Sequence, residues 1–88
     1  MTAYRVEINR PARKVLLALP QAYRSRIAVA IETLANDPRR PGTRKLAGSE
    51  HLYRLRVGDY RLIYEIQDER LIVIVVKVGH RREVYREH

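Results

Sequence analysis

Three arginines, Arg54, Arg56 and Arg61, fall within YRLRVGDYRLIY, residues 53–64, at a spacing that sets them on one face of a two-stranded ribbon. Gly58-Asp59 between two alternating runs reads as a two-residue type II′ turn, with Gly58 supplying the positive φ. The register then places Val57 opposite Tyr60, Leu55 opposite Leu62, Tyr53 opposite Tyr64 and Arg56 opposite Arg61, with Arg54 two residues along the same face. Like charges facing each other destabilise a sheet by some tenths of a kcal/mol. A polyanion laid across the face reverses that sign, and arginine's planar fork suits phosphate oxygens. Near the end of the chain HRREVY adds His80, Arg81, Arg82 and Tyr85. The combined set has the groups that metal-free RNA cleavage needs. In that reaction the ribose 2′-OH attacks the adjacent phosphate in line, with a base for the hydroxyl, cations for the phosphoryl oxygens and an acid for the departing 5′-oxygen. Arginine hardly ever deprotonates, so His80 or Tyr85 is considered for the base. Tyr85 also fits a second use, as an amphipathic ring covering a sheet edge. Arg61 and Arg81 read as surface cations whose truncation leaves no cavity.

Composition narrows the partner. The formal charge is +8, from 18 Lys+Arg against 10 Asp+Glu, and all the cations but Lys14, Lys45 and Lys77 are arginine. An acidic polymer or acidic protein is the expected partner. The arginine bias favours planar contacts to phosphate over a merely solvating coat, although a genomic preference for Arg codons produces the same count. No cysteine is present, which excludes disulfides and thiolate metal sites and is compatible with a reducing cytoplasm. The N-terminus has no apolar region of the signal-peptide kind. The longest apolar run, Leu71 to Val76, is far short of the roughly 20 residues that span a bilayer, so no membrane association is expected. No Walker loop, dinucleotide fingerprint, HExxH, nucleophile elbow or EF-hand loop occurs, and His51, His80 and His88 lack metal-ligand spacing, so no cofactor and no metal are expected. Glu65 shares the arginine face of the ribbon and reads as a salt-bridge partner.

The elements that must position these residues follow from periodicity. Residues 3–8 alternate Tyr4, Val6 and Ile8 against Arg5 and Glu7, as a half-buried strand does. Pro11 suits a first helical position, and Ala12, Val15, Leu16 and Leu19 give a short amphipathic helix ending at Pro20. Pro20 opens a longer helix with the stripe Tyr23, Ile27, Ala30, Ile31 and Leu34, stopped at Asn36-Asp37-Pro38. Residues 39–50, with Pro41, Gly42, Gly48 and Ser49, read as a loop made basic by Arg39, Arg40, Arg44 and Lys45. After the ribbon and a polar turn at residues 67–70, the β-branched run LIVIVVKV, residues 71–78, is a strand buried on both faces, broken by Gly79. The expected architecture is a single α+β domain over residues 1–88: an N-terminal strand, a helical hairpin, then an antiparallel β-meander, making a small sheet of about four strands packed on two helices.

Strand, helical hairpin, KLAGSEHLYRLRVGDYRLIYEI and VVKVGHRREVY, in that order, resemble the RelE/ParE superfamily of toxins from type II toxin–antitoxin modules. The resemblance covers nearly the whole chain. Its RelE branch implies a ribosome-dependent mRNA endonuclease of compact α/β fold that leaves a 2′,3′-cyclic phosphate and a 5′-hydroxyl. Its ParE branch implies a non-nuclease that poisons DNA gyrase, and a non-catalytic nucleic-acid or antitoxin-binding module is a third reading. Position by position, the resemblance to the RelE branch implies that its catalytic arginines fall on Arg61 and Arg81 and its terminal tyrosine on Tyr85. Two strand lysines are replaced by Arg54 and Arg56, and His80 stands where the best-known member has lysine. Charge is thus kept while proton chemistry is not, so either the base's role moves, with His80 a reasonable substitute, or the rate rests on electrostatics and on orientation supplied by the ribosome. Arg44, Lys45 and Arg82 are the further residues expected to contact RNA or ribosome. The resemblance also implies a cognate acidic, RelB-like antitoxin, mRNA and the ribosome as partners, and a toxin–antitoxin hetero-oligomer that binds operator DNA through the antitoxin.

Overall fold

Local chemistry sets each element boundary in the computed structural model, which describes residues 3–80. The first strand, β1 (Arg5–Ile8), passes directly into α1 (Arg10–Ala18). Asn9 caps that helix, its side-chain oxygen accepting from Ala12 N at 3.0 Å, and Pro11 sits in the first turn, where no N–H is missed. Pro20 ends α1's reach and caps α2 (Gln21–Asn36), whose buried residues Ile27, Ala30, Ile31 and Leu34 recur at helical spacing. Pro38 follows its C-terminus, as expected.

The sheet has five strands in the order β1-β5-β4-β3-β2, with β2 at Thr43–Lys45, β3 at Leu52–Val57, β4 at Tyr60–Gln67 and β5 at Ile72–His80. Three particulars depart from the sequence-based expectation. Residues 39–50 are not all loop, because Thr43–Lys45 pair antiparallel with β3 and cover its otherwise open edge. The sheet is mixed, since β1 runs parallel to β5. Gly79 does not break the last strand, which continues through Gly79 and His80 by pairing with Arg61 and Tyr60. The β-branched run is interior as expected, with β1 on one side and β4 on the other. The ribbon register agrees with expectation at every pair from Tyr53↔Tyr64 to Val57↔Tyr60. Gly58 has φ +59 while Asp59 is not in the positive-φ region, the pattern of a II′ turn.

Both helices cover one face of the sheet. Ala12 and Leu16 from α1 and Ile27, Ile31 and Leu34 from α2 pack on Leu55, Leu62, Tyr64, Ile66, Val73, Val75 and Val78. Truncating a fully buried leucine such as Leu62 costs about 2–5 kcal/mol. The opposite face, which no helix covers among the described residues, carries the charged residues of the alternation. No helix among the described residues is long and apolar enough to cross a membrane.

Candidate functional site

Strand pairing assembles the face opposite α1 and α2 row by row. Arg44 on β2 pairs with Arg54 on β3, Arg54 pairs with Ile63 on β4, and Ile63 pairs with Lys77 on β5. One row nearer the turn, Arg56 pairs with Arg61, and Arg61 with Gly79. Gly42, Arg44, Arg54, Arg56 and Arg61 line an open concavity of about 330 Å³. The side chains differ in freedom. Arg56 is exposed and its Nε donates to the Gly58 carbonyl at 3.2 Å, whereas Arg61 is only 6% exposed. That burial overturns the reading of Arg61 as a surface cation. Its cross-strand neighbour on β5 is Gly79. A buried cation at the floor of an arginine-lined hollow is preorganised for an anion, because it need not reorient when the anion arrives.

The segment that leads into β2, and so to Arg44, is fixed from below. Tyr64 is fully buried on the helix side, and its hydroxyl donates to the Pro38 carbonyl at 2.7 Å. Burial pushes that phenol up to about 12. Next to it Arg39 donates to both carboxylate oxygens of Asp68, at 3.1 and 2.8 Å, and its Nε donates to the Tyr53 hydroxyl at 3.2 Å. Tyr4 also donates to Asp68, at 2.7 Å. The hydrogen bonds from Arg39 and then Tyr4 hold the Asp68 carboxyl down at about 2. This clasp joins Tyr4, just before β1, the segment after α2 and the 3-10 turn at Asp68–Arg70. From the same segment, Arg40 donates to Thr33 Oγ1 at 2.9 Å while Thr43 Oγ1 donates to the Arg40 carbonyl at 2.8 Å. The approach to β2 is thereby pinned at both ends.

The structure brings together Arg44, Arg54, Arg56 and Arg61. Lys45 alternates off their face, pairing with Tyr53. Nor does His80 join them. It pairs with Tyr60, whose ring lies on the helix side, and the two rings meet edge to face at 5.7 Å with Tyr60 in turn 5.1 Å from Tyr23. The expectation of His80 as a base beside the arginines therefore conflicts with strand parity: Arg61 and His80's partner Tyr60 are adjacent in β4 and point to opposite faces. Glu65 sits two rows away on the arginine face and accepts from Gln67 Nε2 at 2.9 Å. Arg81, Arg82 and Tyr85 lie outside the described residues. Lys77 was not singled out by the sequence reading, which absorbed it into a buried run; only the pairing of β5 with β4 shows that it faces the arginines' side.

A family profile described as "ParE toxin of type II toxin-antitoxin system, parDE" matches residues 6–85. The toxin RelG of Mycobacterium tuberculosis is 36% identical over 87 residues, covering 94% of this chain and 97% of that protein. The mRNA interferase toxin RelE of Escherichia coli is 33% identical, covering 97% of this chain and 93% of that protein. Among solved structures, the archaeal RelE–RelB complex from Pyrococcus horikoshii contains a chain that superposes with a TM-score of 0.80 at 33% identity, over 91% of this chain and 97% of that one.

Proposed function

The chain belongs to the ParE toxin family of type II toxin–antitoxin systems, and from that premise we propose that it is the toxin of such a module, an endoribonuclease that cuts mRNA on the ribosome and so stops translation. The arginine concavity carries this reading. Four guanidinium groups converge on a hollow large enough for a phosphodiester, and the relatives bear RelE and RelG names, one of them as an mRNA interferase. The chemistry is transesterification: the 2′-oxygen bonds to phosphorus, the bond from phosphorus to the 5′-oxygen breaks, and the products end in a 2′,3′-cyclic phosphate and a 5′-hydroxyl. Arg61, Arg54 and Arg56 bind the non-bridging oxygens and stabilise the charge they gather in the transition state. Arg44 holds the flanking backbone. Arg81 and Tyr85 complete the site by resemblance, Arg82 and Lys45 add electrostatic attraction for RNA, and the ribosome supplies orientation of the reacting nucleotides.

The partner is a RelB-like antitoxin, as in the Pyrococcus horikoshii complex. An acidic, amphipathic segment suits a chain of charge +8 with this hollow, and it folds on binding at the cost of its own ordering. The place of action is the cytoplasm, where translating ribosomes are. The test is induction followed by mapping of mRNA ends and plasmid topology. Breaks phased to the reading frame, with cyclic-phosphate ends, are expected; gyrase-linked DNA breaks with intact mRNA overturn the proposal in favour of gyrase poisoning.

A further inference from the structure

The pairing of β4 with β5 slips between Ile63 and Tyr64. Tyr64 pairs with Val75 and Ile63 with Lys77, leaving Val76 as an extra residue on β5. Without the slip, strict alternation from Val73 and Val75, both fully buried against the helices, would turn Lys77 into the same core. With it, Val78 takes the inward position at 3% exposure and Lys77 emerges, half-buried, on the arginine face. Bulges of this kind recur beside functional sites, where they re-aim a side chain.

Lys77 then stands in the row Arg44–Arg54–Ile63 and diagonal to Arg61, at the about 7–8 Å separation that a long side chain spans. Among the described residues, charged groups on its face of the neighbouring strands include Arg61 and Arg54 near the turn and Glu65 farther along. On its other side β1 has already ended at Ile8, and α1 borders it with Pro11, Ala12 and Val15. Among the described residues the concavity's own side chains are all arginine, which binds phosphate but does not hand over protons, and His80 points the other way. An ammonium gives up a proton readily by comparison.

Resting on the ribonuclease reading, we propose that Lys77 is a catalytic residue, the general acid that protonates the departing 5′-oxygen. As the 2′-oxygen attacks phosphorus and releases its proton to solvent water, the bond from phosphorus to the 5′-oxygen breaks and that oxygen takes a proton from Lys77 Nζ. The neutral amine regains a proton from solvent, so the cycle closes with no net gain or loss.

The test is single-turnover cleavage on programmed ribosomes with two mRNAs, one ordinary and one with sulfur replacing the bridging 5′-oxygen at the scissile linkage. A thiolate leaves without protonation. Lys77→Gln and Lys77→Arg are both expected to slow the ordinary RNA about 10²-fold and to approach the wild-type rate on the sulfur-linked RNA. Arg61→Met remains slow on both. A Lys77→Gln rate near wild type on ordinary RNA overturns the proposal, as does an equal loss on both substrates or full activity of Lys77→Arg, which keeps the charge and shape needed for folding. Failure of the wild type to cut ordinary RNA overturns the ribonuclease reading instead.

Discussion

At the end of the sheet beside the 3-10 turn, Arg39 grips Asp68 with two hydrogen bonds and lies over the Tyr53 ring, 5.3 Å from its centre. At the Gly58 end, Arg56 stands across from Arg61, and Arg54 from Arg44. One end matches its charges and joins three segments of chain. The other places cation against cation along neighbouring strands, an arrangement that costs stability in the free protein and becomes favourable once a polyanion lies between them. The same residue type thus serves the fold at one end and binding at the other: Arg39 is held by a bidentate carboxylate, whereas Arg56 and Arg61 are set directly across from each other on neighbouring strands.

The largest effect should come from the floor of the binding end. Arg61→Met keeps an unbranched side chain in the buried position while removing the charge, so cleavage on ribosomes is expected to fall about 10²–10³-fold with little change in the thermal unfolding midpoint. Wild-type cleavage by this variant removes Arg61 from the site. At the clasp the outcome should be the reverse. Arg39→Ala loses the carboxylate pair and the cation–π contact, and because the partners are 46% and 53% exposed the loss should be only about 1 kcal/mol, read by denaturant unfolding, with cleavage retained. Equal damage to activity would show that the two ends are not separable.

Acid sharpens the contrast. The folded Asp68 carboxyl titrates at about 2, below its ordinary 3.8, so the folded chain binds fewer protons there than the unfolded one. Its contribution is whole above about pH 4 and is lost as the pH falls toward 2. Wild type and Asp68→Asn should therefore differ in unfolding midpoint at pH 6 and converge at pH 2; a difference that persists at pH 2 assigns the effect to something other than the charge. The smallest effect, and opposite in sign, is expected for Arg56→Thr. It relieves the cross-strand repulsion with a strand-favouring residue and should stabilise by a few tenths of a kcal/mol while weakening RNA cleavage. Lower stability in this variant would mean that Arg56 supports the turn through its bond to the Gly58 carbonyl more than it strains the sheet.

Period and turn chemistry alone determined much of this molecule. Alternation around a II′ turn has one self-consistent register, which is why Arg56 opposite Arg61 was readable from YRLRVGDYRLIY, and the helical stripe from Ile27 to Leu34 could face only a core. What tertiary structure decided lies where pairing partners are distant in sequence. The strand at Thr43–Lys45 exists because β3 offers an edge, not because of its own pattern, and parallel β1 is placed by β5, far along the chain. Arg61 is buried by its neighbours, and nothing in its type announces it. Above all, the extra residue at Val76 inverts the facing of Lys77 through His80. Since strand side chains alternate with period two, one inserted residue moves Lys77 out to the arginines, and the pairing that follows sends His80 to the helix side.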